Sequence, residues 1–121
     1  LYRKPISEKT VAANLRRWGA GGLRREPERP FGDVIPCRVA SGKERALSDH
    51  PSLKPQRFLR RVVRAALPLG TGIVLDPFAG SGSTLAAAES LGYESIGIEI
   101  DPEFFEKALV SIPALADLNP P

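Results

Sequence analysis

Apolar and polar positions alternate with a clear period only from residue 55 onward. The stretch "PQRFLRRVVRAALPLG" places Phe58, Leu59, Val62, Val63 and Ala66 on one helical face and Arg57, Arg60, Arg61 and Arg64 on the other. Pro55 suits the first helical turn, where its missing N–H costs nothing, and Pro68 with Gly70 ends the helix. "GIVLDP" is a short apolar run of strand type, bounded by Gly72 and Pro77. "STLAAAESLG" reads as an alanine-rich helix with Gly92 just beyond its end. A second strand, "YESIGIEI", leads into "DPEFFEKALVSI", a helix with Asp101 as N-cap and Pro102 at its first position, closed by Pro113. The order helix, strand, helix, strand, helix predicts an α/β fold: one βαβ unit with flanking helices.

The first half is patterned differently. Ser7 to Arg17 predicts a short helix with Ser7 as N-cap and Val11, Leu15 and Trp18 on one side. After it, "WGAGGLRREPERPFGDVIPC" is dense in Gly, Pro and charge, and residues 19–49 are expected to be largely irregular. Val34-Ile35 is a candidate strand, confined to an edge by Pro36. The expected organisation is one domain in three parts. Residues 1–49 form a basic, loop-rich segment, residues 50–112 the folded βαβ portion, and residues 113–121 a tail.

Charge sharpens this division. Residues 1–64 carry 16 Lys/Arg against 6 Asp/Glu, whereas residues 65–121 carry 1 against 8. That asymmetry points to a polyanionic partner for the first half, with a merely soluble basic segment as the plain alternative. Cys37 is the only cysteine and His50 the only histidine, so neither an internal disulfide nor a zinc site is expected, and a reducing, cytoplasmic setting is. No apolar run is long enough to span a bilayer, so no membrane partner is expected.

The chemistry concentrates where the first strand meets the alanine-rich helix. Gly80 and Gly82 let the backbone turn sharply and let a ligand approach it closely, and the amides of the following helix point at whatever lies there. Glu99, 19 positions after Gly80 at the end of the next strand, can accept hydrogen bonds from both hydroxyls of a ribose. The third glycine of a dinucleotide fingerprint would fall at Leu85, and no Gly-Lys-Ser/Thr follows. A ligand with an adenosine end but no pyrophosphate fits better, its ammonium near Asp76 and its carboxylate near the amides of Gly80 to Thr84. A tight turn that binds nothing stays open as the alternative, and Glu99 favours the ligand.

"DPFAGSGST", Asp76 to Thr84, resembles the S-adenosyl-L-methionine motif of the DNA amino-methyltransferases that modify adenine N6 or cytosine N4. "HPSLKP", His50 to Pro55, is similar to the segment preceding that motif, and "GIEID", Gly97 to Asp101, to the acidic strand end that holds the ribose. The order of these motifs matches members whose catalytic half lies N-terminal to the cofactor half. The resemblance implies a partial Rossmann-like sheet and S-adenosyl-L-methionine as cofactor. It implies that Asp76, Pro77, Phe78, Ala79, Gly80, Ser81, Gly82, Ser83 and Thr84 wrap the methionine portion. Glu99 then takes the ribose, Ile100 and Asp101 border the adenine, and Lys54 lies near the amino-acid end. Double-stranded DNA is the implied substrate.

The family's catalytic tetrapeptide, Asp/Asn-Pro-Pro-aromatic, is absent. The sole Pro-Pro, after Asn119, lacks the aromatic, so no catalytic residue is assigned. The chain begins at Leu1 and contains no Met, and the expectation is a fragment or truncated copy that pairs with the missing catalytic half or with a second copy. Its competitors are a non-catalytic nucleic-acid-binding or dimerising remnant and, disfavoured by Leu85, a fragment of a nucleotide-binding oxidoreductase.

Overall fold

Three consecutive alanines, Ala86 to Ala88, have no exposed surface, and the rest of the chain is arranged around them. The computed structural model describes residues 4–32 and 34–118, so Asn119-Pro120-Pro121 lies outside the described residues. The elements are α1 (Val11–Trp18), α2 (Gly42–Leu47), α3 (Gln56–Ala66), β1 (Ile73–Asp76), α4 (Ser83–Ser90), β2 (Glu94–Gly97) and α5 (Pro102–Asp117). Strands β1 and β2 are parallel, with Ile73 opposite Glu94 and Leu75 opposite Ile96. This is the expected α/β arrangement, a two-stranded piece of a Rossmann-like sheet.

Small side chains on α4 let its neighbours close in from several sides. Leu59 and Val63 of α3 pack with Ala87 and Ala88, joined by Val74 from β1 and Tyr93. Across the helix, Ala86 meets Leu53, Ala40 and Leu115 of α5. The glycine turn depends on the same closeness. Gly82 has φ +83°, and a Cβ there would fall 2.3 Å from Ile112 of α5.

The strands are covered on one side only. Val74 faces the core, while Ile73, Leu75, Ile96 and Ile98 are each more than half exposed. Parallel strands in folded proteins are ordinarily covered on both faces.

Several expectations are corrected. The N-cap of α1 is Thr10, whose Oγ1 accepts the Ala13 N–H, and not Ser7. Ser7 bends back over the helix: its N–H donates to the buried Asn14 and its Oγ accepts the Trp18 indole N–H. Pro55 stands at the N-cap of α3, one position earlier than expected. Ala66 is exposed and Ala65 is the buried residue, because α3 ends there and Leu67 has already left helical geometry. Val34 and Ile35 form no strand.

The supposedly irregular stretch holds α2, closed by a reciprocal capping box between Ser41 and Glu44. Nor does the last helix stop at Pro113; it runs to Asp117. A proline inside a helix forfeits one bond, about 3 kcal/mol. Here the fully buried Leu115 and a cap offset that loss: the Arg60 guanidinium donates to the carbonyls of Leu115, Ala116 and Leu118. Residues 113–117 therefore belong to α5, seated by Leu115, and not to a tail.

Gly82→Ala should destabilise the chain by about 1–3 kcal/mol from the left-handed backbone alone, with the Ile112 clash added. A urea midpoint unchanged from wild type would contradict this account of the turn.

Candidate functional site

The end of β1, the glycine turn and the end of β2 are tied by backbone bonds. Ile98 N–H donates to Asp76 O at 2.9 Å, Ala79 N–H to Ile98 O at 2.9 Å, and Gly82 N–H to Ala79 O at 2.8 Å. These bonds bring Glu99 to the turn. Its Oε2 accepts the Gly80 N–H at 2.7 Å and its Oε1 the Asp101 N–H at 2.9 Å. The Asp101 amide, then the Gly80 amide, hold the carboxyl below the usual glutamate range. Each oxygen has a further lone pair, so the carboxylate is fixed in place and still able to accept two hydroxyls.

The other site residues expected from the sequence divide by environment. Asp76 is half-buried and accepts the Phe78 N–H at 3.1 Å. Pro77, Phe78 and Ile100 are exposed beside the turn, with Ile100 at 97%. Ala79 and Thr84 are half-buried. Asp101 caps α5, accepting from Glu103 and Phe104.

Ser81 and Ser83 are buried, and their hydroxyls face protein. Ser48 donates to Ser81 Oγ at 2.8 Å, and the Lys54 N–H to Ser83 Oγ at 3.4 Å. Lys54 is thus tied to the turn through its main chain, while its ammonium bonds Ser52 Oγ at 2.7 Å.

Sequence reasoning missed the layer that supports this turn. Gln56, fully buried, donates through Nε2 to Ser83 O at 2.9 Å, and Ser111 Oγ donates to Ser81 O at 2.6 Å. Glu44 accepts the N–H groups of Ser41 and Gln56. Burial raises the pKa of that carboxyl, but the amide donors outweigh burial and leave it below the usual range. The pattern Ser41-x-x-Glu44 was the available signal.

His50 stands against the turn, its Nε2 3.0 Å from where a Gly80 Cβ would sit. Gly80 has φ +55°, so the space and the backbone both demand glycine there. The His50 ring meets Phe104 edge-on at 4.4 Å, and its Nδ1 accepts the Ser52 N–H. Lys107 bridges Asp49 and Glu103, bracing this segment against α5, and those two acids raise its pKa.

A βαβ turn of this kind, with an acid at the second strand end, is a geometry that α/β proteins use to hold a nucleoside. Comparison with known proteins narrows the class. Residues 3–110 match the N6/N4 DNA methylase family, and the chain belongs to that family. It is 37% identical over 82 residues to the type II methyltransferase M.ScaI of Streptomyces caespitosus, covering 65% of this chain and 27% of that protein. With the DNA adenine methyltransferase YhdJ of Escherichia coli strain K12 it shares 39% over 92 residues, 71% of this chain and 31% of the relative. The chain thus spans less than a third of either relative. Among solved structures it superposes on the M1.HpyAVI–SAM complex with a TM-score of 0.58 at 29% identity, covering 74% of this chain and 42% of that one.

The Glu99 latch carries a pH signature. A carboxyl whose folded-state pKa is lowered stabilises the folded state above its unfolded value, and that contribution disappears as pH falls through the folded value. The Gly80 amide resonance should therefore titrate with a midpoint below the usual glutamate range, and Glu99→Gln should abolish the transition. A midpoint at or above that range would remove the latch.

Proposed function

We propose that this chain is the cofactor-holding half of a DNA methyltransferase that moves a methyl group from S-adenosyl-L-methionine to adenine N6 or cytosine N4. The observation that carries the reading is the Glu99 carboxylate fixed at 2.7 Å from the Gly80 amide, with lone pairs left for a ribose. The M1.HpyAVI–SAM complex supports the choice of cofactor.

In this reading Glu99 accepts the two ribose hydroxyls, and Ile100 lies along the adenine with Asp101 at its border. Asp76 attracts the methionine ammonium. Of the amides from Gly80 to Thr84, those of Ser81, Ser83 and Thr84, at the positive end of α4, face the carboxylate, since Gly80 donates to Glu99 and Gly82 to the Ala79 carbonyl. Phe78, 88% exposed, covers the methionine portion together with Pro77 and Ala79. Ser81, Gly82 and Ser83 shape the turn, and Lys54 contributes from the segment pinned to Ser83. The cofactor supplies an electrophilic methyl on a sulfonium; this chain binds and orients it.

The acceptor amine must be held elsewhere, because no Asp/Asn-Pro-Pro-aromatic motif occurs in the chain. We assign that task to a catalytic half seated on the open sheet face of Ile73, Leu75, Ile96 and Ile98. Those side chains are apolar and adjacent, as a second covering layer requires. Alone, the chain binds cofactor and does not methylate.

Titration calorimetry with S-adenosyl-L-methionine tests this reading. Wild type should bind, and Glu99→Ala should bind more weakly by on the order of 1–3 kcal/mol. Absence of heat with wild type would favour the non-catalytic remnant, and equal affinity in the variant would remove Glu99 from the site. Methylation of duplex DNA by the isolated chain would overturn the division of labour.

A further inference from the structure

A cleft of about 900 Å³ opens between the extended segment 36–41 and the start of α3, away from the Glu99 carboxylate. Pro36, Val39 and Pro55 give it an apolar lining, and Arg38 and Arg57, both exposed, add two guanidinium groups. Its one acid, Glu44, is 3% exposed and turns its two oxygens inward to the amides of Ser41 and Gln56. Pro55 at the N-cap of α3 has no side chain to cap it, and the Glu44 carboxylate takes the Gln56 N–H in its place.

Much of the basic charge elsewhere is committed within the protein. Arg17 pairs with Glu8, and Arg29 and Arg61 both pair with Glu26. Arg60 caps α5, Arg64 bonds the Arg25 carbonyl, and Arg24 donates to the Tyr93 hydroxyl. Among the described residues the side chains of Arg38 and Lys43 make no hydrogen bond or ion pair, as is also true of Lys4, Lys9, Arg16 and Arg25 in the first segment; Arg38 lines the cleft and Lys43 lies on α2 beside it. Arg38 brings an uncommitted charge to an open cleft, as a polyanion requires, and a forked guanidinium matches phosphate oxygens in pairs.

We propose that this cleft receives the sugar–phosphate backbone of duplex DNA. The proposal rests on the DNA methyltransferase reading and adds where the substrate is gripped. Arg38 and Arg57 bind phosphate oxygens, Lys43 extends the contact along the strand, and the prolines lie against deoxyribose. Contacts of this kind fix register without reading sequence.

Cys37 provides the probe, since it is the only cysteine in the chain and lines the cleft exposed. The 121-residue chain is labelled with a neutral maleimide, with and without a non-cognate 20-base-pair duplex, an amount set relative to its measured affinity. With duplex about tenfold above its dissociation constant, the labelling rate should fall roughly tenfold. In parallel, the Arg38→Gln/Arg57→Gln variant should show a log K against log salt slope shallower by roughly 1 to 2, while Lys9→Gln/Arg16→Gln on α1 should change it less. Unchanged labelling at saturating duplex, or an equal change of slope in the α1 variant, would overturn the proposal. Protection by polyglutamate but not by duplex would assign the cleft to an acidic protein surface and overturn it too. Cofactor calorimetry on the same samples is independent of this result. Loss of cofactor heat with protection retained would count against the cofactor site alone.

Discussion

The structure turns on one charged contact, the carboxylate of Glu99 against the amide of Gly80. It spans the gap that the parallel strands leave at their carboxyl ends, where a sheet has no more ladder bonds to offer. Gly80 can present its N–H there because its backbone is left-handed and because His50 fills the place a side chain would need. Glu99 can reach it because Ile98 bonds both Asp76 and Ala79, pinning the end of β2 to the end of β1. An ionised acceptor with two backbone donors is worth more than a neutral bond of the same length. It also leaves each oxygen a further lone pair, the capacity on which the proposed ribose contact draws.

Behind that contact lies a polar layer in which few groups act alone. Glu44 ties the start of α2 to the start of α3, Gln56 ties α3 to the turn, and Ser48 and Ser111 grip Ser81 from opposite elements. Buried polar groups are costly unless satisfied, so such a layer specifies one arrangement strongly. The hydroxyls of "GSGS" thereby hold the turn's shape, and in the proposed reading the remaining amides and Glu99 meet the cofactor.

The basic half shows a division between structural and available charge. Arg60 lies on the face of α3 opposite its apolar stripe, yet it caps the far end of α5 and anchors the helix that closes over Gly82. Arg61 and Arg64 hold the extended segment of residues 24–26 against α3. Net charge counted along the chain therefore overstates what a nucleic acid can use. The sheet stays bare on one face, and its isoleucines and Leu75 form the apolar surface to which the proposed catalytic half is assigned.

The sequence by itself determined the elements from residue 55 onward, the α/β class and the pairing of the glycine turn with Glu99, because each rests on local rules. Helix period, proline and glycine punctuation and the spacing across one βαβ unit all act within a few turns of chain. It did not determine α2's place, the passage of α5 through Pro113 or the destinations of the arginines. Those follow from partners distant along the chain: Gln56 for Glu44, the buried seat of Leu115, and the free carbonyls at the end of α5 for Arg60. Tertiary packing decides such cases because a local cost, such as one missing helical bond, is small beside the burial and capping that only the assembled fold supplies.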